Sequence, residues 1–246
     1  MNILVCISKV PDTTSKISFV DGDTKFNSQG VTWIVNPSDE WYALVRAIEI
    51  KEKLGSGNVT IITVGTAEDD AILRKALAVG ADNAVRINFD PQDSFSVASA
   101  IADYAKTQSF DLVLTGTETI DHNNAEVGGM LAELLGLEFI SPANKLDING
   151  TTARVESEVG GGTSVYEAAL PLVLSAAKGM AEQRIPNMKG IMAARTKPIT
   201  VVEAAGNPKV RVTKFELPPA KAGVKMIDPE NMDELVRLLH NEAKVI

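Results

Sequence analysis

Residues 110–129, FDLVLTGTETIDHNNAEVGG, place a glycine turn and a run of small polar side chains between a strand-like segment, FDLVLTG, and a helix-like one, AEVGGMLAELLG. Backbone N–H groups at such a helix start hold a phosphate without any lysine. The chemistry this spacing points to is nucleotide binding, with no reaction attached to it.

Three other segments end at the same edge if the strands are parallel. In an open parallel sheet, ligands lie beyond the carboxyl ends of the strands, where strand order reverses. The candidate segments are 6–9 after the first strand, 36–39 at a helix start, 64–65 after the next strand and 116–128, and within them Cys6, Asn36, Pro37, Ser38, Asp39, Val64, Gly116 and the loop residues Asp121, His122, Asn123, Asn124, Ala125, Glu126 and Val127. Backbone at Cys6 and Val64 is placed to flank an adenine. Asp39 or Asp121 is placed to accept from ribose hydroxyls, and the turn 122–127 offers N–H groups to a phosphate. Each also has a plain structural reading: Asn36 as a helix cap, Cys6 as a small core residue, Gly116 as a turn. His122, flanked by Asp121, Asn123 and Asn124, has no histidine or cysteine nearby with which to complete a metal site, so loop polarity explains it and no metal is expected. No GxSxG, GxxxxGK[ST] or GxGxxG motif occurs at a position that would imply catalysis, and no catalytic residue is assigned.

The elements that must position these residues follow from periodicity. NILVCIS is apolar on both faces, as a central parallel strand should be. SFVDGDTKFN reads as a hairpin excursion, and EWYALVRAIEIKEKL as a helix ended by Gly55 and Gly57. NVTIITVG, NAVRINF and FDLVLTG are further strands, with helices in DAILRKALAVGAD, capped by Thr66 and Asp69, and SFSVASAIADYAKTQ. Strands joined by helices of this length predict an α/β fold with a doubly wound, mostly parallel sheet. After residue 140, LDINGTTARVESEVGGGTSVYEAAL alternates as antiparallel strands do, and LPLVLSAA is one more buried strand. From Gly179 to Gly223 there is almost no helical period, which predicts an extended segment lying against something else; NMDELVRLLHNEAKV closes the chain as an amphipathic helix. The organisation expected is a nucleotide-binding domain over 1–178, a partner-recognition loop and arm over 179–226, and a terminal helix over 227–246.

Composition narrows the classes. With 246 residues, 45% hydrophobic and 5% aromatic, the chain can bury a full α/β core. Its net charge of −8 argues against duplex nucleic acid or an anionic membrane as the main partner. A lone cysteine, Cys6, excludes an intrachain disulfide and a thiolate zinc cluster, and with the lack of a signal-like start predicts a cytoplasmic protein. Against this acidic background, residues 182–198, EQRIPNMKGIMAARTKP, set Ile185, Met188, Ile191 and Met192 among cations that include Arg184. A methionine in such a setting suits variable apolar pockets, which makes these five a candidate partner surface; the alternative is that they pack back on this chain.

Taken in order, NILVCISKVPDT, VNPSDEWYALVRAIEIKEK, ALAVGAD, FDLVLTGTETIDHNNAEVG, VESEVGGGTSVYEAALPLVLS, RIPNMKGIMAARTKP and PPAKAGVKM resemble the β subunit of electron transfer flavoproteins across nearly the whole chain. The resemblance implies a Rossmann-like, adenine-nucleotide-hydrolase-like fold and an electron-carrier subunit without turnover of its own. It implies a heterodimer in which FAD lies mainly in an α subunit and AMP in this one, at the residues named above. It further implies that the segment around Met188 anchors a partner dehydrogenase such as an acyl-CoA dehydrogenase, that electrons leave to a quinone reductase, and that residues 218–224 form an arm wrapping α. This chain carries Met188 where leucine is usual, Lys221 where arginine is, and Glu118 and Glu126 where glutamine is. A carboxylate beside a phosphate repels it by roughly 1 to 4 kcal/mol at 4 Å, so either phosphate affinity is reduced here or both glutamates turn away from the phosphate. Two other readings are an electron-bifurcating relative with a second FAD in place of AMP, and a stand-alone nucleotide-binding stress-type module; the lack of an SGGxDS loop weighs against the second.

Overall fold

The computed structural model describes residues 1–37, 39–221 and 223–246. The run NILVC forms β1 (Asn2–Cys6), buried from Ile3 onward. Alternate residues feed two cores: Ile3 and Val5 face one, Leu4 and Cys6 the other. This is what apolarity on both faces of a strand requires.

The chain then makes an excursion. β2 (Lys9–Pro11) pairs antiparallel with β5 (Trp33–Val35), and between them β3 (Phe19–Val20) and β4 (Lys25–Phe26) form the expected hairpin. α1 (Asp39–Leu54) follows, burying Leu44, Val45, Ile48 and Ile50. β6 (Asn58–Gly65) lies beside β1, and Thr66 and Asp69 turn the chain into α2 (Asp70–Val79), the Asp69 carboxylate accepting Thr66 N–H at 2.8 Å. β7 (Asn83–Asn88), α3 (Ser94–Lys106) and β8 (Leu112–Gly116) complete the first winding, with β8 on the far side of β1. α4 (Val127–Leu135) leads to β9 (Phe139–Ala143). A separate antiparallel sheet of β10 (Lys145–Asn149), β11 (Thr152–Val159) and β12 (Gly162–Ala169) precedes β13 (Leu172–Ala176). α5 (Met188–Thr196), β14 (Ile199–Glu203) and α6 (Met232–Leu238) finish the chain.

The main sheet has seven parallel strands in the order β14-β7-β6-β1-β8-β13-β9. Succession runs outward from β1 through β6 and β7, then returns across β1 to β8. The reversal therefore falls between β1 and β8. α1 and α2 cover one face and α3 and α4 the other, each with its own apolar cluster. Burying a side chain such as Leu44, Leu73 or Leu131 contributes roughly 1.5 to 3 kcal/mol.

Four local features differ from the sequence reading. The helix after β8 starts at Val127 rather than Ala125, because Ala125 has φ +54° and a left-handed residue cannot sit in a right-handed helix. FISPA, unremarkable in sequence, is β9: it lies at the sheet edge, half exposed, which is where a strand proline is tolerated. The segment after Gly179, expected to lack regular structure, contains α5 and then β14, which pairs in parallel with β7 as the other edge of the main sheet. The terminal helix is also shorter than expected, α6 giving way to a π-helical turn at Leu239–Ala243.

Candidate functional site

Cys6, Gly65, Gly116 and Ala176 mark the carboxyl ends of β1, β6, β8 and β13, so the segments following them share one edge of the sheet. Two tethers draw them together. Asn36 N–H donates to Ser8 O at 3.0 Å, joining the end of the excursion to the end of β1. The Asn36 side chain, fully buried, donates from Nδ2 to Glu118 O at 2.9 Å and accepts Ile120 N–H on Oδ1 at 3.1 Å. The Asn36 side chain is thus not spent on capping α1: it staples the backbone of the 117–126 loop across the point where strand order reverses. Its partners lie 82 and 84 residues away, so no local sequence signal carries the role.

The loop has a second anchor. Thr117 Oγ1 donates to Ala176 O at 3.0 Å and lies 3.4 Å from Ser175 Oγ, which in turn donates to Ser141 Oγ. From these anchors the loop stands out exposed from Asp121 to Glu126. Asn123 N–H donates to Thr119 O at 2.9 Å, and both Asn123 and Ala125 have positive φ, +53° and +54°. For alanine this conformation is uncommon, and such outliers persist where surrounding structure over-determines them. Gly128 lets α4 begin against β8: a Cβ there would lie 2.9 Å from Thr115 Oγ1 and from the Phe139 ring. Gly116 is under the same constraint, since a Cβ there would lie 2.8 Å from Glu40 Cγ and 3.2 Å from Asp39 Cβ.

Of the candidate residues, Cys6, Val64 and Gly116 lie at these strand ends and the loop 121–127 follows β8; Asn36, Pro37 and Asp39 follow β5 of the excursion and reach the same edge through the Asn36 tethers, while Ser38 lies outside the described residues. His122 is exposed, 3.8 Å from Asp121, and among the described residues no group of His, Cys, Asp or Glu side chains could hold a metal ion. Cys6 is buried in the core, where burial first and the Glu40 charge second push its thiol up. Asp39 is raised by burial, opposed by N–H groups of Glu118 and Thr117 that face its carboxyl and reinforced by the Glu118 charge. Glu118 and Glu126 are both exposed to solvent.

Glu40 lies just outside the candidate segments, and Ser8 falls inside the one that follows β1, where sequence reasoning gives it no role. The Glu40 carboxyl accepts Ser8 N–H at 2.6 Å and lies 2.7 Å from Ser8 Oγ. Burial pushes it up to about 8; the Ser8 hydrogen bonds oppose the rise, and Asp121 and Asp39 add to it. In sequence, an acid in the first helical turn reads only as a favourable partner for the helix dipole.

The candidate partner surface lies elsewhere. Asn187 caps α5 by accepting Gly190 N–H at 2.8 Å, and Arg74 donates to Ala194 O at 2.7 Å and to Lys197 O. A Cβ at Gly190 would collide with Ala78 O, so glycine seats α5 on α2. Held this way, the segment leaves Ile185 82%, Met188 74%, Met192 58% and Ile191 40% exposed; they do not pack back on the chain. Arg184 is taken up by a two-pronged ion pair with Glu52 at 2.9 and 3.0 Å. A further cavity, about 740 Å³, lies at the opposite edge of the sheet between Met1, Phe110, Leu135, Leu137 and Pro171, and shares no residue with the tethered loop.

The model of the electron transfer flavoprotein domain matches residues 23–207, a span that runs from the hairpin through β14 and takes in the whole loop. The chain belongs to the electron transfer flavoprotein family. Among curated relatives it is 40% identical to an electron transfer flavoprotein subunit beta of Bacillus subtilis, with all of both chains covered. It is 37% identical to a subunit of the same name from Syntrophomonas wolfei, covering all of this chain and 98% of the relative. It is also 31% identical, over 99% of its length and 98% of the relative's, to the caffeyl-CoA reductase-Etf complex subunit CarD of Acetobacterium woodii. Membership as a β subunit makes this an electron-transport chain of a flavoprotein. Among the described residues no helix is long and apolar enough to cross a membrane.

Proposed function

We propose that this chain is the nucleotide-bearing β subunit of a heterodimeric electron transfer flavoprotein. AMP occupies the edge formed by Cys6, Asn36, Asp39, Val64 and the 117–127 loop. FAD, held mainly by an α subunit against this one, carries electrons from dehydrogenases such as acyl-CoA dehydrogenases to a quinone reductase. The observation that carries the nucleotide reading is the loop stapled by Asn36 at the reversal of strand order. Left-handed Ala125 followed by right-handed Glu126 is the alternation of hand that turns successive N–H groups to one side, as an anion requires. Gly116 and Gly128 let the loop's two ends pack closely on α1 and on β8 and β9. The residues present thus fit an adenine nucleotide held by backbone.

The contribution of this chain is binding and positioning. Its exposed Ile185, Met188, Ile191 and Met192 supply the apolar anchor for a dehydrogenase, and residues 204–231, with Val210, Leu217, Val224 and Met226 uncovered, supply the arm that lies on α. Ala222 of that arm is outside the described residues. The protein works in the cytoplasm and has no turnover of its own.

A second reading fills the same site with FAD and makes the chain part of an electron-bifurcating complex; the match to CarD supports it. One experiment separates the two. The chain is co-expressed with its α subunit, and nucleotides released from the pure complex are identified by mass and absorbance. One FAD and one AMP per heterodimer is the expected result, two FAD would favour the second reading, and a complex without AMP or FAD would overturn both.

A further inference from the structure

Glu40 is only 4% exposed and sits at the junction of three site segments. Its carboxyl faces Ser8 beyond β1, its Cγ packs against Gly116 at the end of β8, and it belongs to the first turn of α1. The titratable groups around it are all acids: Cys6 from β1, Asp39 from α1 and Asp121 from the loop, with Glu118 facing Asp39. Lys9, the next residue after Ser8, is engaged by Asp69 at 3.1 Å and Glu68 at 3.7 Å, and Glu40 has no ion-pair partner among the described residues.

A buried carboxylate without a cation is costly, and such a group keeps its proton instead. Both contacts with Ser8 are accepted by the carboxyl, one oxygen taking the Ser8 N–H and the other the Ser8 Oγ–H, which favours the carboxylate; burial without a cation favours the neutral acid and prevails.

We propose that Glu40 is a proton-controlled positioning residue for the nucleotide site: it fastens Ser8 to α1 and, protonated, adds no charge beneath the loop, whereas ionised it joins Asp39 and Asp121 and disfavours a phosphate there. This inference rests on the reading of the 117–127 loop as a nucleotide site. Phosphate and proton then bind with positive coupling. A phosphate raises the affinity of Glu40 for its proton, and by reciprocity the proton raises the affinity for phosphate. With the carboxyl pushed up to about 8, the coupling operates between neutral and alkaline pH.

The test is calorimetric titration of AMP into the heterodimer freed of nucleotide, from pH 7 to pH 9.5. The AMP phosphate is already doubly charged over that range, since its second proton leaves near pH 6. Affinity is expected to fall by roughly three- to tenfold across the range, a shift of up to about one pKa unit in Glu40. Binding at pH 8, measured in two buffers of different ionisation enthalpy, is expected to take up a fraction of a proton. In E40Q, which keeps the shape of the neutral acid, the profile is expected to be flat and the uptake absent. An E40Q profile as steep as that of the unaltered protein, or AMP binding to the unaltered protein with no proton uptake at pH 8, overturns the role of Glu40 and leaves the nucleotide reading standing. No AMP binding at any pH overturns both. If E40Q fails to fold, proton uptake by the unaltered heterodimer still decides.

Discussion

Asn36 carries two long-range hydrogen bonds that no other described side chain duplicates, so its removal isolates the staple from the rest of the site. In N36A, Glu118 O and Ile120 N–H lose their partner next to a buried position, a loss of about 1 to 3 kcal/mol. The loop is exposed beyond Ile120 and is free to relax, which puts the expected loss of global stability at the lower end of that range. The expected signature is local: hydrogen exchange at the Ile120 amide accelerates, and the purified complex retains less AMP. Unchanged exchange at Ile120 would show that Thr117 alone holds the loop. At this scale the sequence pointed to positions that the structure gathers at one edge of the sheet, but not to the contacts that gather them. Asn36, Asp39 and Gly116 were visible because small and polar residues interrupt apolar strands there. The staple, the fit of Gly116 over Glu40 and the burial of Glu40 depend on contacts between segments some 30 to 80 residues apart, which local pattern does not encode.

At the scale of elements, α5 separates what holds a helix from what a helix displays. Its seat is made by Gly190 against Ala78, by the Asn187 cap and by Arg74 reaching the last carbonyls, while Met188 points into solvent. M188A is therefore expected to change stability by no more than about 0.5 kcal/mol, as exposed substitutions do, yet to slow reduction of the flavin by a partner dehydrogenase. G190V should do the opposite to the fold: any side chain at 190 drives α5 off α2, and the unfolding midpoint should drop by several degrees. Stopped-flow transfer kinetics beside thermal unfolding read both variants, and equal transfer rates for M188A and the unaltered protein would remove Met188 from the docking surface. The sequence betrayed the exposed apolar residues but not the helix. Only Ala194 of α5 is buried, so no apolar stripe marks it, and β14, an edge strand half open to solvent, lacks the continuous apolar run that revealed β1, β6 and β8. The central strands were legible because burial on both faces keeps them mostly apolar, with polar groups such as Thr60 and Thr63 few among them; edge elements escaped because one side of each is free.

At the scale of the whole molecule, the order of the seven strands places the loop at the reversal beside β1, and the chain beyond β14 runs away from that core with few contacts of its own. Contacts at two places moor it, around Phe215, whose N–H also donates to Asp23 O at 2.7 Å, and around Lys209, whose ammonium lies 5.2 Å over the Phe95 ring. Phe215 stacks on Phe19 of the hairpin, centroids 4.7 Å apart, and Asp93 accepts Lys209 N–H at 2.6 Å and Val210 N–H at 2.9 Å while its other oxygen caps α3 through Ser96 N–H at 2.8 Å. Burial alone would raise the Asp93 carboxyl; the hydrogen bonds from Ser96, Val210 and Lys209 outweigh it and hold the group at about 2 against an ordinary 3.8. A carboxylate depressed in the fold stabilises it fully above its unfolded value and loses that contribution as pH falls through the folded one. The mooring is therefore expected to hold above about pH 4 and to be lost between about pH 4 and pH 2. D93N tests it without disturbing the helix, because asparagine caps as well as aspartate does, but with its one oxygen on Ser96 N–H it turns an NH2 donor toward the Lys209 and Val210 amides in place of an acceptor. Protection of the Lys209 and Val210 amides, corrected for intrinsic exchange, should collapse below pH 4 in the unaltered protein and be weak at every pH in D93N, with Ser96 protected in both near neutrality. Arm amides equally protected in the two proteins would assign the mooring to the Phe19–Phe215 stack and leave the arm insensitive to pH.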